Sequence, residues 1–161
     1  MGIRTRHANE ADGDEILELW HGFTSHLSSF DDRYGHSDQA DERWLRYFEN
    51  QLVDSKYGTV ILAENDEDDA PIGVLEARVM GDHPIFRLEN HGYVHGLFVR
   101  EEYRGEGVAG ELLDAAAEWF KQGPRAVNYY RIDVLAGDEA AAKMLESHGL
   151  DPVELVYEER L

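Results

Sequence analysis

Few folds accommodate the stretch from Tyr93 to Gln122. Residues 93–99, Tyr-Val-His-Gly-Leu-Phe-Val, are rich in β-branched and aromatic side chains, as strands are. After a short polar link comes Arg104-Gly-Glu-Gly-Val-Ala-Gly110. Val108, Leu112, Ala115, Ala116, Trp119 and Phe120 then recur at helical spacing, which predicts a long helix from about Gly105 to Gln122, ended by Gly123-Pro124. A helix start carries unpaired N–H groups and a partial positive charge, so it takes up phosphate. Gly105 and Gly107 lack a Cβ and let the backbone approach such a group closely. Arg104 adds a permanent cation.

The flanking sequence limits the architecture. Ile3–His7 reads as a first strand, and Asp12 with Glu15 as a capping box before a helix bearing Ile16, Leu19, Trp20, Phe23 and Leu27 on one side. Ser28–Gln39 is polar and loop-like, and Trp44, Tyr47, Phe48 and Leu52 mark a second helix. Tyr57–Ala63 and Ile72–Met80 form a predicted hairpin across the polar run Glu64–Asp69. Gly92–Val99 precedes the long helix; Val127–Leu135 is a strand, Glu139–His148 a helix, and Val153–Arg160 a last strand. The order β-α-α-β-β-β-α-β-α-β predicts an α+β fold, a mixed central sheet flanked by helices. With 161 residues, a single domain over 1–161 is expected.

Composition excludes several classes. Acids number 34 against 15 bases, only three of them lysines, and the formal charge is −19. Such a surface repels nucleic-acid backbones. Acid-rich, lysine-poor composition resembles that of proteins from salt-loving archaea, so most of the acids read as a solvated, salt-adapted surface and carry no argument for a cationic substrate. There is no cysteine, hence no disulfide, thiolate–metal site or cysteine nucleophile. No apolar run approaches the roughly 20 residues of a membrane span, and the first residues lack a signal-peptide core. A cytoplasmic protein without a membrane partner is expected. His91 and His95 are no metal pair, because four residues on a strand span roughly 13 Å. No metal is expected.

The glycine turn admits two readings. Gly105-x-Gly107-x-x-Gly110 matches a dinucleotide fingerprint in form, yet five residues separate Val99 from Gly105 and the expected downstream acid is missing. The turn lacks the Gly-Lys-Ser/Thr of a Walker A loop. Arg104-x-x-Gly107-x-Ala109 resembles the acyl-CoA-binding motif Arg/Gln-x-x-Gly-x-Gly/Ala of the GNAT N-acetyltransferases. The resemblance extends over essentially the whole chain. Ile3-Arg4 with Asp12 is similar to the family's opening, Leu97-Phe98-Val99 with Glu102-Tyr103-Arg104 to its central run, and Ala141, Leu145 and Gly149-Leu150 to its late one.

The resemblance implies an N-acetyltransferase that moves an acetyl group from acetyl-CoA to a primary amine, in a small molecule or a peptide, by direct attack. It implies that the diphosphate sits on the N–H groups of Arg104, Gly105, Glu106, Gly107, Val108 and Ala109. The pantetheine would run along Leu97, Phe98 and Val99, entering where their strand parts from the one carrying Ile132. Tyr93, His95, Leu97 and Val99 are expected on one strand face. His95 is the candidate base, with an ordinary pKa of roughly 6.5, and Tyr93 a candidate relay. The first interhelical loop would build the acceptor pocket from Phe23, His26, Phe30, Asp31, Asp32 and Tyr34. Two positions depart from the family pattern: Leu145 stands where a tyrosine acid is usual, and Asp138, a weak cofactor contact and candidate N-cap, where an asparagine is usual. The resemblance also implies a homodimer interface at Val153–Arg160. A non-catalytic CoA-binding regulatory module and a nucleotide-binding oxidoreductase remain as alternatives.

Overall fold

The strand Gly58–Asn65 (β2) is buried at every residue, so both of its faces are covered. In the computed structural model, which describes residues 2–81 and 83–161, it lies inside a five-stranded sheet. The other strands are β1 (Ile3–His7), β3 (Pro71–Met80), β4 (His91–Val99) and β5 (Tyr130–Ile132), and the spatial order is β1-β2-β3-β4-β5. All neighbours are antiparallel except β4 and β5, which run parallel. The parallel pair follows from the crossover helix α3 (Val108–Lys121) between them. Helices α1 (Gly13–Ser28), α2 (Ala40–Tyr47) and α4 (Glu139–Ser147) complete the fold, with a wide turn at Phe48–Leu52 extending α2.

Strand alternation sorts the core into two layers. Ile61, Ala63, Leu75, Ala77, Val94 and Val99 pack on Val108, Leu112, Ala116 and Phe120 of α3 and Leu145 of α4. Val60, Leu62 and Val74 turn the other way, against Ile16, Leu19 and Trp20 of α1 and Phe48 and Leu52. The sheet therefore separates an α1/α2 face from an α3/α4 face. Among the described residues no helix is long and apolar enough to cross a membrane.

Three expectations are corrected. The capping box at the entry to α1 is formed by Asn9 and Asp12, because Asp12 is turned back to the Asn9 N–H (2.7 Å) and held by two 2.8 Å bonds from Arg6. The strand predicted over Val127–Leu135 shrinks to Tyr130–Ile132, since β4 leaves it after three pairs. The predicted last strand is not formed. Residues 150–161 lie in no helix or strand, and Leu155, Val156 and Tyr157 are exposed. With β5 only three residues long, the sheet offers that segment too short an edge for a ladder. Instead, Glu154 pairs with Arg131 at 3.0 Å and Glu158 with Arg33 at 2.6 Å.

Candidate active site

The site is organised by an irregularity in β4. Val94 pairs with Ala77 and Gly96 with Glu76, so His95 is an extra residue with no partner on β3, a β-bulge. Beside it the parallel ladder stops, its last pair being Val94 and Ile132. Beyond that pair β4 stays bonded to β3 alone, and its other edge is open. Arg100 gives its N–H to Ile72 on the β3 side (2.9 Å), so by alternation Leu97 and Val99 turn their backbone groups toward the opening.

The bulge also overturns the expected common face of Tyr93, His95, Leu97 and Val99. An inserted residue inverts the period-two alternation. Leu97 and Val99 pack toward α3, whereas Tyr93 pairs with Arg78, and His95 and Phe98 lie on the α1/α2 side. Tyr93 and His95 still stack, with ring centroids 5.1 Å apart.

At the far end of the opening stands the glycine turn. It is exposed, and Gly105 and Gly107 have φ of +80° and +86°, a region that side chains with a Cβ enter at a cost. A Cβ at either position would meet no atom within 4 Å, so the strain there is conformational and not a clash. Among the described residues no acceptor takes the N–H groups of Gly105 to Gly110. Gly107 is the N-cap of α3, whose dipole adds positive potential there. Arg104 bonds the Val99 carbonyl through Nε (3.1 Å) and lies over the Phe98 ring, strapping the turn to the end of β4. No ion pair with a carboxylate is formed by Arg104 among the described residues, so its charge is available to an anion.

On the α1/α2 face, at the bulge, lies a cavity of about 290 Å³. Its walls are Trp20 and Phe23 of α1, Trp44 of α2, Glu76 of β3, His95 and Gly96 of β4, and the loop around His36. Glu76 is buried and accepts a 3.0 Å bond from Trp44 Nε1. Burial pushes its carboxyl up, and the Trp44 bond opposes this. Burial pushes the His95 imidazole down, with the Arg78 charge acting the same way and Asp133 against it. His95 is thus the neutral, proton-accepting form at pH 7. Tyr93 gives its hydroxyl hydrogen to Asp133 (2.6 Å), and burial and Asp133 push it up to about 12. The indole N–H of Trp20 is buried without a partner among the described residues.

The chain carries the acetyltransferase (GNAT) family pattern over residues 18–150. It belongs to that family. Solved structures agree on the fold. The aminoglycoside N-acetyltransferase AAC(6')-Iy, in complex with a bisubstrate analogue, CoA-S-monomethyl-acetylneamine, aligns with a TM-score of 0.75 at 20% identity over 100% of this chain and 99% of its own. The BH1408 protein from Bacillus halodurans aligns at TM-score 0.81 and 17% identity, over 98% of this chain and 99% of its own. A ribosomal-protein-alanine N-acetyltransferase from Brucella melitensis biovar Abortus 2308 reaches 0.71 at 18% identity, over 99% of this chain and 100% of its own. No match is found among curated proteins. This acetyltransferase is therefore an enzyme of the N-acetyltransferase class with the GNAT α+β fold.

The sequence candidates separate into groups. Leu97, Phe98, Val99, Arg104, Gly105, Glu106, Gly107, Val108 and Ala109 line up along the opening and the turn, Val108 being buried in the core beneath it. Asp138 is buried as the N-cap of α4, bonded to the Ala141 N–H (3.1 Å) and to His26 Nε2 (2.9 Å), so both of its oxygens are engaged. Phe30, Asp31 and Asp32 border a separate polar depression with Arg33 and Arg160, and Tyr34 is exposed nearby. Arg33 binds Asp31 at 2.6 Å and holds it down at about 2. Of the interhelical candidates, Phe23 lines the cavity. Sequence reasoning missed Glu76, Trp20, Trp44 and His36. Glu76 left one usable signal, a lone charge inside the apolar run Ile72–Ala77. The two tryptophans sit at ordinary core spacing and left none.

Proposed function

We propose that this acetyltransferase moves an acetyl group from acetyl-CoA to a primary amine bound in the Trp20–Trp44–Glu76 cavity. The observation that carries the reading is the end of the β4–β5 ladder at the His95 bulge. It opens a path between an anion-binding turn and an aromatic, carboxylate-bearing cavity. The chain's residues fit acetyl-CoA, which supplies the acetyl thioester. Free amides at Gly105–Gly110 and the Arg104 charge, which forms no ion pair among the described residues, suit a diphosphate, and the backbone of Leu97 with the Val99 N–H suits an amide-bearing arm.

The residues then divide the work. Glu76 and the ring faces of Trp20, Phe23 and Trp44 hold an ammonium group. His95 accepts a proton from it, which frees the nitrogen lone pair for attack. Tyr93 orients His95 by stacking and holds its own proton on Asp133. Leu145, buried in the core, supplies no proton to the departing thiolate, which at an ordinary thiol pKa of roughly 8.5 leaves without one. Small-molecule amines carrying an apolar group are the acceptor class that suits a cavity walled by aromatic rings and a single carboxylate, Glu76. We further propose a homodimer in which the exposed Leu155, Val156 and Tyr157 are covered by a second copy; light scattering that finds only monomer at high salt refutes it.

The central test is CoA release from acetyl-CoA with a panel of small amines and N-terminal peptides. Steady release with a small cationic amine, abolished by His95→Ala and Glu76→Gln together, is the expected result. Tight acetyl-CoA binding with no turnover on any amine would favour the second reading, a CoA-binding regulatory module, to which the buried Leu145 points.

A further inference from the structure

A hydrogen bond spans the opening beside β4. Helix α1 runs across the sheet, its Ile16 and Leu19 sharing one cluster with Val60 and Leu62 of β2 and Val74 of β3. Further along, Gly22 and Phe23 lie on Phe98 of β4: a Cβ at Gly22 would stand 2.6 Å from the Phe98 ring, and the Phe23 and Phe98 centroids are 6.4 Å apart. His26 follows about one turn later, so the end of α1 passes β4 and overhangs the edge left open after the last ladder pair, Val94 and Ile132. There Nε2 of His26 meets Oδ2 of Asp138 at 2.9 Å. Asp138 comes after β5, at the start of α4, and so belongs to the far bank of the opening.

The bond is held from both ends. The other oxygen of Asp138 takes the Ala141 N–H at 3.1 Å, so the carboxylate cannot turn away from His26 without uncapping α4. A carboxylate only accepts, so Nε2 of His26 is the donor. The Phe30 ring meets His26 edge-on with centroids 5.2 Å apart, and its Cδ1 stands 3.3 Å from where a Cβ at Gly137 would be. His26 and Phe30 thus reach Gly137 and Asp138 side by side, across the same gap. Capping does not account for the charge: asparagine or serine caps a helix as well as aspartate does. A buried carboxylate needs further donors, and the one supplied here comes from 112 residues away.

We propose that His26 and Asp138 are positioning residues that clasp the two banks of the opening around the amide-bearing arm of acetyl-CoA. The inference rests on the reading of this opening as the acetyl-CoA channel. An arm lying along Leu97 and the Val99 N–H passes beneath the end of α1, where the clasp closes the gap. Banks already fixed at the bound spacing spare the complex the cost of ordering them. Both residues act through the walls they hold and not on the reacting atoms. Losing the clasp therefore weakens the grip on the arm and not the grip on the phosphates, which the glycine turn holds.

The test compares two ligands by calorimetry at about 1 M NaCl, where repulsion of phosphates by the acidic surface is screened. One is acetyl-CoA; the other is adenosine 3′-phosphate 5′-diphosphate, which carries the phosphates without the arm. Expected for His26→Ala is acetyl-CoA binding weakened more than about fivefold, with the arm-less nucleotide held within about twofold of wild type. His26→Gln, whose side-chain N–H reaches the place of Nε2, restores acetyl-CoA binding. Glu158→Gln, which breaks the exposed pair with Arg33 alone, changes neither ligand. The far-UV spectrum of each variant confirms that it is folded. Equal acetyl-CoA binding in wild type and His26→Ala overturns the proposal, as does an equal loss for both ligands, or a loss in His26→Gln as large as in His26→Ala. Wild-type protein that binds neither ligand refutes the channel reading itself, and the clasp with it.

Discussion

Gly107→Ala probes the turn on which the proposed acetyl-CoA binding rests. Its φ of +86° lies in the left-handed region, where a Cβ costs about 1–2 kcal/mol. No atom stands within 4 Å of that Cβ, so no clash adds to the strain. At about 2–4 °C per kcal/mol for a chain of this length, the melting midpoint falls by about 2–8 °C. If the backbone relaxes to escape the strain, at least one amide turns away from the bound diphosphate. A hydrogen bond to a charged group contributes about 1.5–3 kcal/mol, so its loss weakens acetyl-CoA binding by about 10- to 150-fold. If the backbone does not relax, the strain shows in the lower melting midpoint alone. Calorimetry with acetyl-CoA at high salt, alongside thermal melting, reads both effects. Gly81→Ala, also unobstructed but at an ordinary φ, serves as the control. A folded Gly107→Ala protein that melts with wild type, and so has relaxed its turn, yet binds acetyl-CoA within about twofold of wild type would refute the assignment of these amides.

Three further outcomes follow from the same geometry. His95 is pushed below its ordinary 6.5, so the acid limb of kcat/KM lies below that pH, activity falling as the base protonates; His95→Ala removes the limb and lowers the rate by about 10²–10⁴-fold, and an unchanged profile excludes His95 as base. Glu76→Gln keeps an acceptor for Trp44 but deletes the buried charge, so KM for a cationic amine rises about tenfold while acetyl-CoA affinity holds. Because the folded carboxyl is raised above 4.5, its favourable contribution is present below that pH and lost as pH rises through the folded value; at pH 7 the variant melts no lower than wild type. With a net charge of −19, stability rises steeply from about 0.01 to 1 M salt as the screening length falls from about 30 to 3 Å, and a salt-independent denaturation midpoint contradicts the reading of the surface as salt-adapted.

What sequence alone determined is local. Gly105 and Gly107 demand positive φ, the helical spacing of Val108, Leu112 and Trp119 demands α3, and together they fix a strand, a glycine turn with free amides and a helix before any long-range contact forms. The hairpin at Glu64–Asp69 and the first strand were legible for the same reason, since turn chemistry and period-two alternation act between near neighbours. Tertiary structure decided the rest. A bulge exists only relative to the partner strand, so nothing in Tyr93–Val99 alone could reveal that His95 is unpaired and that the faces reverse beyond it. The failed last strand has the same origin: its alternation was real, but a strand needs an edge, and β5 is three residues long. The cavity gathers Trp20, Trp44, Glu76 and His95 from four elements, and His26 meets Asp138 from 112 residues away. Each of those side chains looks ordinary in its own segment, and its chemistry arises from neighbours that only the packing of α1 and α2 on the sheet brings within reach.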